Sequence, residues 1–354
     1  MTIINTKGDL LQQSDVDAIV NTVNCVGVMG KGIALQFKKK WPANFKAYAA
    51  ACKLGEVRPG RMFVYDTGSL ATPKYIINFP TKDHWRGKSH IEFIQDGLID
   101  LIRVIKQLKI RSIALPPLGC GNGGLGWTEV KSLIEDAFTE LNVELPEVEI
   151  RLFSPSWTPQ AKDIAVKTQR PKMTAGRAAI LKVLDTYRVL NYGLSKIEVQ
   201  KLAYFLQEAG ENLRLNFVKH HYGPYADQLR HALDRMDGHF VCGVGDGVVE
   251  SEIEPQQDAL NEADEFIKRE GNQKVLEHIA RVENLIDGFQ SSYGMELLAT
   301  VHWVATHDNA KTAKEAMQII SNWNKRKRDL IKPEHVKVAW DRLANQGWIS
   351  EYAA

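Results

Sequence analysis

Asp17 to Pro42 reads DAIVNTVNCVGVMGKGIALQFKKKWP, and the reading of this stretch decides the fold. A short apolar strand, Ala18 to Val20, runs into Asn21 and Asn24. A loop punctuated by Gly27, Gly30 and Gly32 follows, with Lys31 between the last two. An amphipathic helix is expected to open at about Ile33 and to close on Lys38-Lys39-Lys40. A strand that empties into a glycine loop at a helix N-terminus is a device for binding anions. Backbone N–H groups face the ligand, glycine permits close approach, and the helix dipole favours negative charge. An ordinary strand-to-helix turn also favours Gly and Asn, so this loop alone leaves both readings open.

Working outward, residues 1 to about 155 alternate strands with helices. Strands are expected at Ile3-Ile4, Ala18–Val20, Arg61–Tyr65, Lys74–Phe79, Ser112–Leu115 and Val148–Phe153. The clearest helix runs from His90 to Lys109, where Ile91, Ile94, Leu98, Leu101, Ile102 and Ile105 share one face. A second runs from about Thr128 to Leu141. Such alternation implies an α/β layered domain with helices on both faces of the sheet, and ligands in such sheets bind at the carboxyl ends of strands.

A second glycine loop, PPLGCGNGGLGW from Pro116 to Trp127, follows the strand Ser112–Leu115. Gly119 to Gly124 matches G-x-G-x-x-G literally. A dinucleotide fold also needs an acidic residue at the end of the next strand. Glu140 and Glu144 fall before that strand and Ser154 follows it, and Pro116-Pro117 is out of place in a strand feeding such a turn. The NAD fold is therefore rejected, while so dense a run of glycines still argues for a phosphate cradle.

The order Gly8-Asp9-Leu10, VNTVN (Val20 to Asn24), the first glycine loop and PPLGCGNGG resembles the macrodomain family, which binds ADP-ribose and in several branches removes it from modified targets. The resemblance covers about residues 1–155. It implies a three-layer α/β fold with a mixed central sheet and helices on both faces. It implies that Asp9 takes the adenine amino group, with Leu10 beside it, and that Asn24, with Thr22, serves the distal ribose. Gly32, Ile33 and Ala34 would wall the diphosphate on one side, and Gly119, Cys120, Gly121, Asn122 and Gly123 on the other. The usual first loop of the family is a run of glycines; here it is Gly27-Val-Met-Gly-Lys-Gly32. That form, with IALQFKKKWP and with Asn78-Phe-Pro-Thr-Lys-Asp-His-Trp-Arg86, is similar to the DarG branch of DNA ADP-ribosyl glycohydrolase antitoxins. In that branch a lysine of the latter segment is needed for activity, which places the catalytic role on Lys82 and a ribose contact on Thr81.

The resemblance implies hydrolysis of the N-glycosidic bond between ADP-ribose C1″ and thymine in single-stranded DNA. The leaving group is an imide nitrogen, so a glycosidase-type carboxylate pair is not required. Lys82 as an ammonium would donate a proton or stabilise the departing anion; as a neutral amine it would attack C1″. Both remain open. Without the resemblance, Lys82 reads as a lysine solvated at a strand end, Asp9 as a turn cap and Asn24 as a turn residue. Cys120 reads as a space-filler, with no histidine near it in sequence. DNA contacts are expected at Lys31, His84, Trp85 and Arg86, since basic side chains meet phosphate and exposed indoles stack on unpaired bases. Lys38–Lys40 reads as a solvated helix end.

The connector 156–174 carries Pro159 and Pro171 and mixed charge. From 175 to 354 the chain is expected to be mainly helical with a hairpin at about His239 to Val249, and Tyr222-Gly-Pro-Tyr225 is expected to start a helix. LSKIEVQKLAYFLQEAG followed by HHYGPYADQL is similar to the Panacea (SocA-like) antitoxin domains. In DarG proteins the corresponding half sequesters DarT, the enzyme that ADP-ribosylates DNA. Lys325-Arg-Lys-Arg328 reads by default as a solvated helix end.

The whole chain sets the frame for these readings. Its 354 residues suggest two domains, and 44% apolar with 25% charged residues is an ordinary globular composition. A net charge of +2 does not by itself argue for nucleic acid. The four cysteines have no CxxC spacing, which argues against a zinc site or a disulfide framework. No metal or cofactor is expected, ADP-ribose being substrate and product. With no apolar run of membrane length and no signal-peptide core in MTIINTKGDL, a cytoplasmic location is expected. Two further functions stay open: a macrodomain that only reads ADP-ribose, with protection by toxin sequestration alone, and one acting on protein or small-ester substrates.

Overall fold

Alternation with a period of two builds the first sheet. On β2 (Ala18–Val23) Ala18 and Val20 point into one core cluster and Ile19 into another. On β4 (Tyr75–Pro80) Ile77 and Phe79 join the first cluster and Ile76 the second. On β5 (Ser112–Leu115) Ile113 and Leu115 join the first cluster and Ala114 the second. Strands buried on both faces must be covered by helices on both faces, and these are. The computed structural model describes residues 2–69, 72–141, 147–155, 166–188, 193–244, 252–271 and 273–350.

The elements in chain order are β1 (Thr2–Thr6), β2, α1 (Gly32–Lys40), α2 (Pro42–Lys53), β3 (Phe63–Asp66), β4, α3 (Ile91–Leu108), β5 (Ser112–Leu115), α4 (Trp127–Leu141) and β6 (Glu149–Phe153). The six strands lie in the order β1-β6-β5-β2-β4-β3. All neighbours are parallel except β3 with β4, which is antiparallel. The sheet is thus mixed and the layers are three, as expected. Helix α3 presents Ile94, Leu98, Leu101 and Ile105 to the first cluster. Its Gly97 lies directly over the Phe79 ring, where a Cβ would overlap the ring carbons. Helix α2 went unread in the sequence. Pro42 stands at its first turn, a position that proline favours.

The chain divides by its internal contacts near Gln169, and the residues from Arg170 form a second unit. The expected connector begins outside the described residues, at 156–165. The second unit contains α5 (Ala175–Tyr187), α6 (Lys196–Glu208), β7 (Val218–His220), β8 (Gly223–Tyr225), α7 (Asp227–Met236), β9 (Val241–Cys242), β10 (Glu254–Pro255), α8 (Gln257–Arg269), α9 (Gln273–Ile286), α10 (Ser292–Thr306), α11 (Ala313–Trp323), α12 (Lys325–Leu330) and α13 (Pro333–Asn345). The region is mainly helical. Of the hairpin expected over His239 to Val249, Val241–Cys242 is a strand, but its antiparallel partner β10 lies beyond the expected range, and 245–251 lie outside the described residues.

Two expectations are corrected here. Tyr222 to Tyr225 does not start a helix; Gly223–Tyr225 forms the second strand of a hairpin, with Lys219 opposite Pro224, and the helix opens later, at Asp227. The side chain of Gln200 explains this. It accepts from Ala226 N–H and donates to Ala226 C=O, both at 3.0 Å, while Lys201 Nζ donates to Pro224 C=O at 2.6 Å. These bonds hold the backbone extended, and proline in turn disfavours helical geometry in the residue before it. Nor is Lys325 to Arg328 simply a solvated end. Lys327 is wholly buried and donates to Glu296 Oε1 at 2.7 Å and to Thr300 Oγ1 at 2.9 Å. A buried cation is tolerated when it is paired and hydrogen-bonded.

Candidate active site

Three neighbouring parallel strands, β5, β2 and β4, end side by side, and each empties into one part of the site. The asparagines of β2 and β4 fix the base of that edge. Asn21 and Asn78 stand in register, so Asn21 Nδ2 reaches Asn78 Oδ1 at 2.9 Å, and Asn78 Nδ2 reaches Asn44 Oδ1 of α2 at 2.8 Å. All three are fully buried, where polar groups need partners of this kind. Above them Val23 pairs with Pro80, and Thr81 N–H donates to Val23 C=O at 3.0 Å.

The first glycine loop is built on Asn24. Its Oδ1 accepts the N–H groups of Val26 at 3.0 Å and Val28 at 3.3 Å, and its Nδ2 donates to Val28 C=O at 2.5 Å. Tyr48 of α2 donates its hydroxyl to Asn24 C=O at 2.6 Å. Asn24 is therefore the internal strut of the loop, and it presents the loop backbone rather than a free amide. Met29 turns inward, 1% exposed, against Val23 and Tyr48. Gly27 and Gly32 adopt φ of 77° and 55°, the left-handed region that glycine occupies without strain. Lys31 is exposed at the N-cap of α1, which has no side-chain cap, so the first N–H groups of that helix face the loop.

Lys82 follows Thr81 at the end of β4. Its Nζ donates to Asn122 C=O at 2.9 Å and to Gly87 C=O at 3.2 Å. The lysine thus ties its own downstream turn to the second glycine loop, and it is not a freely solvated strand end. Partial burial holds its ammonium below the ordinary lysine range. Downstream, Cys25 N–H donates to Asp83 C=O at 3.0 Å and Gly87 N–H to His84 C=O at 2.9 Å. His84, Trp85 and Arg86 are exposed. The rings of His84 and Trp85 lie 5.5 Å apart, and the Arg86 guanidinium sits 4.6 Å from the Trp85 ring centre.

The second loop leaves β5 through Pro116 and Pro117. Gly119 and Gly124 have φ of 70° and 81°. Ser89 N–H donates to Gly123 C=O at 3.0 Å, and a Cβ on Gly123 would overlap both the Gly119 carbonyl and the Ser89 hydroxyl. The two loops approach where a Cβ on Gly32 would stand 3.2 Å from Asn122 Nδ2. Cys120 donates to Leu118 C=O at 3.4 Å, and burial pushes its thiol up to about 11. A thiol held protonated is a poor nucleophile, in keeping with its reading as a space-filler.

The structure brings Asn24, Gly32, Thr81, Lys82, Gly119, Asn122 and Gly123 to one place. Thr22, Ile33 and Ala34 are half-buried beside it, and Gly121 is exposed at the tip of the second loop. Asp9 and Leu10 belong to another part of the edge. They follow β1, which is separated from β2 by β6 and β5, roughly 14 Å at the usual spacing of strands. Asp9 Oδ1 accepts Leu11 N–H at 2.8 Å and caps a short turn over Leu10–Gln12; Leu10 is buried beneath. Lys40 reaches across to the carbonyl of Leu11, so the Lys38–Lys40 run is not wholly a solvated end. Sequence reasoning missed Tyr48, Asn44 and Ser89. Pro42 followed by an alanine-rich stretch signals the helix carrying the first two, while nothing in the sequence marks Ser89. Among the described residues no group of three His, Cys, Asp or Glu side chains could hold a metal ion, and no helix is long and apolar enough to cross a membrane.

The family model for the Macro domain matches residues 20–134, which contain both glycine loops and Lys82. A DNA ADP-ribosyl glycohydrolase of Thermus aquaticus is 46% identical over 341 residues, covering 96% of this chain and 92% of that protein. A protein of the same description from Mycobacterium tuberculosis is 44% identical over 353 residues, covering 95% of this chain and 97% of that one. A DNA ADP-ribosyl transferase-DNA ADP-ribosyl glycohydrolase fusion protein of Thermosipho africanus is 34% identical over 152 residues, 39% of each chain.

Proposed function

The chain belongs to the family of DNA ADP-ribosyl glycohydrolases, and from that premise we propose that it removes ADP-ribose from thymidine in single-stranded DNA, with Lys82 as the acid that assists the departing base. The observation that carries the assignment of Lys82 is its hydrogen bonding. Two carbonyl oxygens, of Asn122 and Gly87, accept from Nζ at 2.9 and 3.2 Å. Carbonyl partners favour the charged ammonium and direct two of its protons, leaving the third for the substrate. A neutral amine would give its two protons to the same carbonyls and keep its lone pair for C1″, so the pH profile of the rate is what separates acid from nucleophile. In the proposed step water adds to C1″ as the C1″–N bond breaks; the imide nitrogen leaves with a proton supplied from Lys82, and the water proton restores the ammonium.

ADP-ribose lies along the carboxyl edge of the sheet in this reading. The adenine end meets Asp9 and Leu10 after β1, and the diphosphate passes between Gly32–Ala34 with the α1 N-terminus and Gly119–Gly123. The distal ribose meets Thr22, Thr81 and the loop backbone that Asn24 holds in place. The sheet order supports this direction, since β1 and β4 are separated by three strands and the ligand is long. Lys31, His84, Trp85 and Arg86 would receive the DNA.

Incubation with ADP-ribosylated single-stranded DNA, ADP-ribosylated protein and O-acetyl-ADP-ribose tests the assignment. Release of ADP-ribose from the DNA is expected, and release from the protein or the ester alone would overturn it. The pH profile tests the role of Lys82. A lysine acting as an acid gives a rate that is flat where it is protonated. The rate falls as pH rises through the lowered pKa, at a pH below the ordinary 10.5. A rate that climbs with pH over the same range would identify an amine nucleophile instead.

We propose in addition that residues 175–354 bind the cognate transferase toxin DarT, that 1–155 carry ADP-ribose binding and hydrolysis, and that 156–174 link them. The Thermosipho relative, a transferase and glycohydrolase in one chain, supports such a partnership. The absence of any disulfide among the four cysteines supports work in a reducing cytoplasm. In pull-downs with separate halves, toxin retained only by residues 1–155 would overturn the division.

A further inference from the structure

Among the described residues of the first unit, the exposed large apolar side chains are Ile4, Val26, Val28, Leu54, Trp85 and Ile99. Three of these, Val26, Val28 and Trp85, stand at the mouth of the candidate site. The backbone brings them there: Cys25 N–H is bonded to Asp83 C=O, so Val26 is one residue and Trp85 two residues from a shared hydrogen bond. Asn24 pins Val28 by both its N–H and its C=O, and Val28 Cγ1 lies over Gly30, 3.6 Å from where a Cβ would be. The loop is therefore fixed with these side chains on its outer side while Met29, the next residue, is buried. On the facing segment the Arg86 guanidinium, 4.6 Å from the indole centre, steadies the Trp85 ring. Lys82 Nζ is bonded to Asn122 C=O of the second loop and to Gly87 C=O just past Arg86.

An apolar rim beside a proton donor, edged by the exposed cations Lys31, Arg86 and Lys88 with Asp83 beside them, suits a flat, weakly polar ring attached to a phosphodiester strand. We propose that Val26, Val28 and Trp85 form the subsite for the leaving nucleobase itself, with Trp85 as the stacking face. This rests on the reading of the substrate given above and goes further, because it assigns Trp85 to the base that departs rather than to flanking DNA. Stacking holds the base with its nitrogen towards Lys82. The cations are left to the neighbouring phosphates, which contact strands of any sequence.

The test compares two substrates, a short single-stranded oligonucleotide with one ADP-ribosylated thymidine and the single ADP-ribosylated thymidine nucleoside. Trp85→Ala is expected to lower kcat/KM about tenfold on both, within the range of a lost base–aromatic stack. Trp85→Phe should restore most of it, and the double variant Val26→Ser with Val28→Ser should lower both rates. Free ADP-ribose should bind Trp85→Ala as it binds the unaltered protein, which also reports that the variant is folded. A loss confined to the oligonucleotide would overturn the proposal by placing Trp85 on flanking DNA, and unchanged rates on both would overturn it outright. If the unaltered protein releases nothing from either substrate, the substrate reading fails instead, a result distinct from these.

Discussion

Lys82→Ala is expected to lower the rate of ADP-ribose release from DNA by about 10²- to 10⁴-fold, the usual contribution of a positioned proton donor. The loss should appear in kcat, because the proton is needed only as the C1″–N bond breaks. Binding of ADP-ribose should persist, since the cleft walls are carried by other residues. It should nevertheless weaken by a few-fold, because removal of Nζ leaves the carbonyls of Asn122 and Gly87 without the bond that joins them. Single-turnover rates alongside calorimetric ADP-ribose binding make the distinction. A variant that binds ADP-ribose and hydrolyses at the unaltered rate would remove Lys82 from the chemistry.

Gly123→Ala should damage the site as severely by another route. No methyl group fits at this position, because it would coincide with the Gly119 carbonyl and the Ser89 hydroxyl. Neither neighbour yields easily: the carbonyl is backbone, and Ser89 is 5% exposed with its N–H bonded to Gly123. The loop must open, and Asn122, whose carbonyl receives Lys82 Nζ, moves with it. A displacement of about 1 Å at a reacting group costs on the order of 10²-fold, so turnover should fall by about that factor together with ADP-ribose affinity. Gly126→Ala is the comparison, since a Cβ there meets nothing within 4 Å; its melting temperature should stay close to that of the unaltered protein. Equal activity of the two variants would show that the second loop does not position the site.

Much of this architecture was legible in the sequence because it depends on local pattern. The alternation in β2, β4 and β5, the stripe of α3 and the density of glycines in the second loop each report a backbone requirement within a few residues. Lys82 was reached through the resemblance of its segment, since no spacing distinguishes it from a solvated lysine. The features that went unread depend on partners far along the chain. Ser89 matters only because Gly123 lies over it, and Tyr48 because Asn24 C=O is within reach of its hydroxyl. In the second unit, Tyr222 to Tyr225 has a helix-opening pattern that loses to the side chain of Gln200. A basic run hid the inward turn of Lys327, whose partner Glu296 lies on another helix. Hydrophobic pattern is local, whereas polar satisfaction is settled in three dimensions.

The placement of β1 at the rim of the sheet, separated from β2 by two strands, has a bearing on how such a protein can change over time. The proposed catalyst and phosphate walls ride on interior strands braced on both sides, while the proposed adenine end follows a border strand with a neighbour on one side only. Drift at the border would alter how tightly the nucleotide is held without disturbing the reacting bond. Lineages would then be free to retune affinity to the abundance of lesions while inheriting an untouched catalyst.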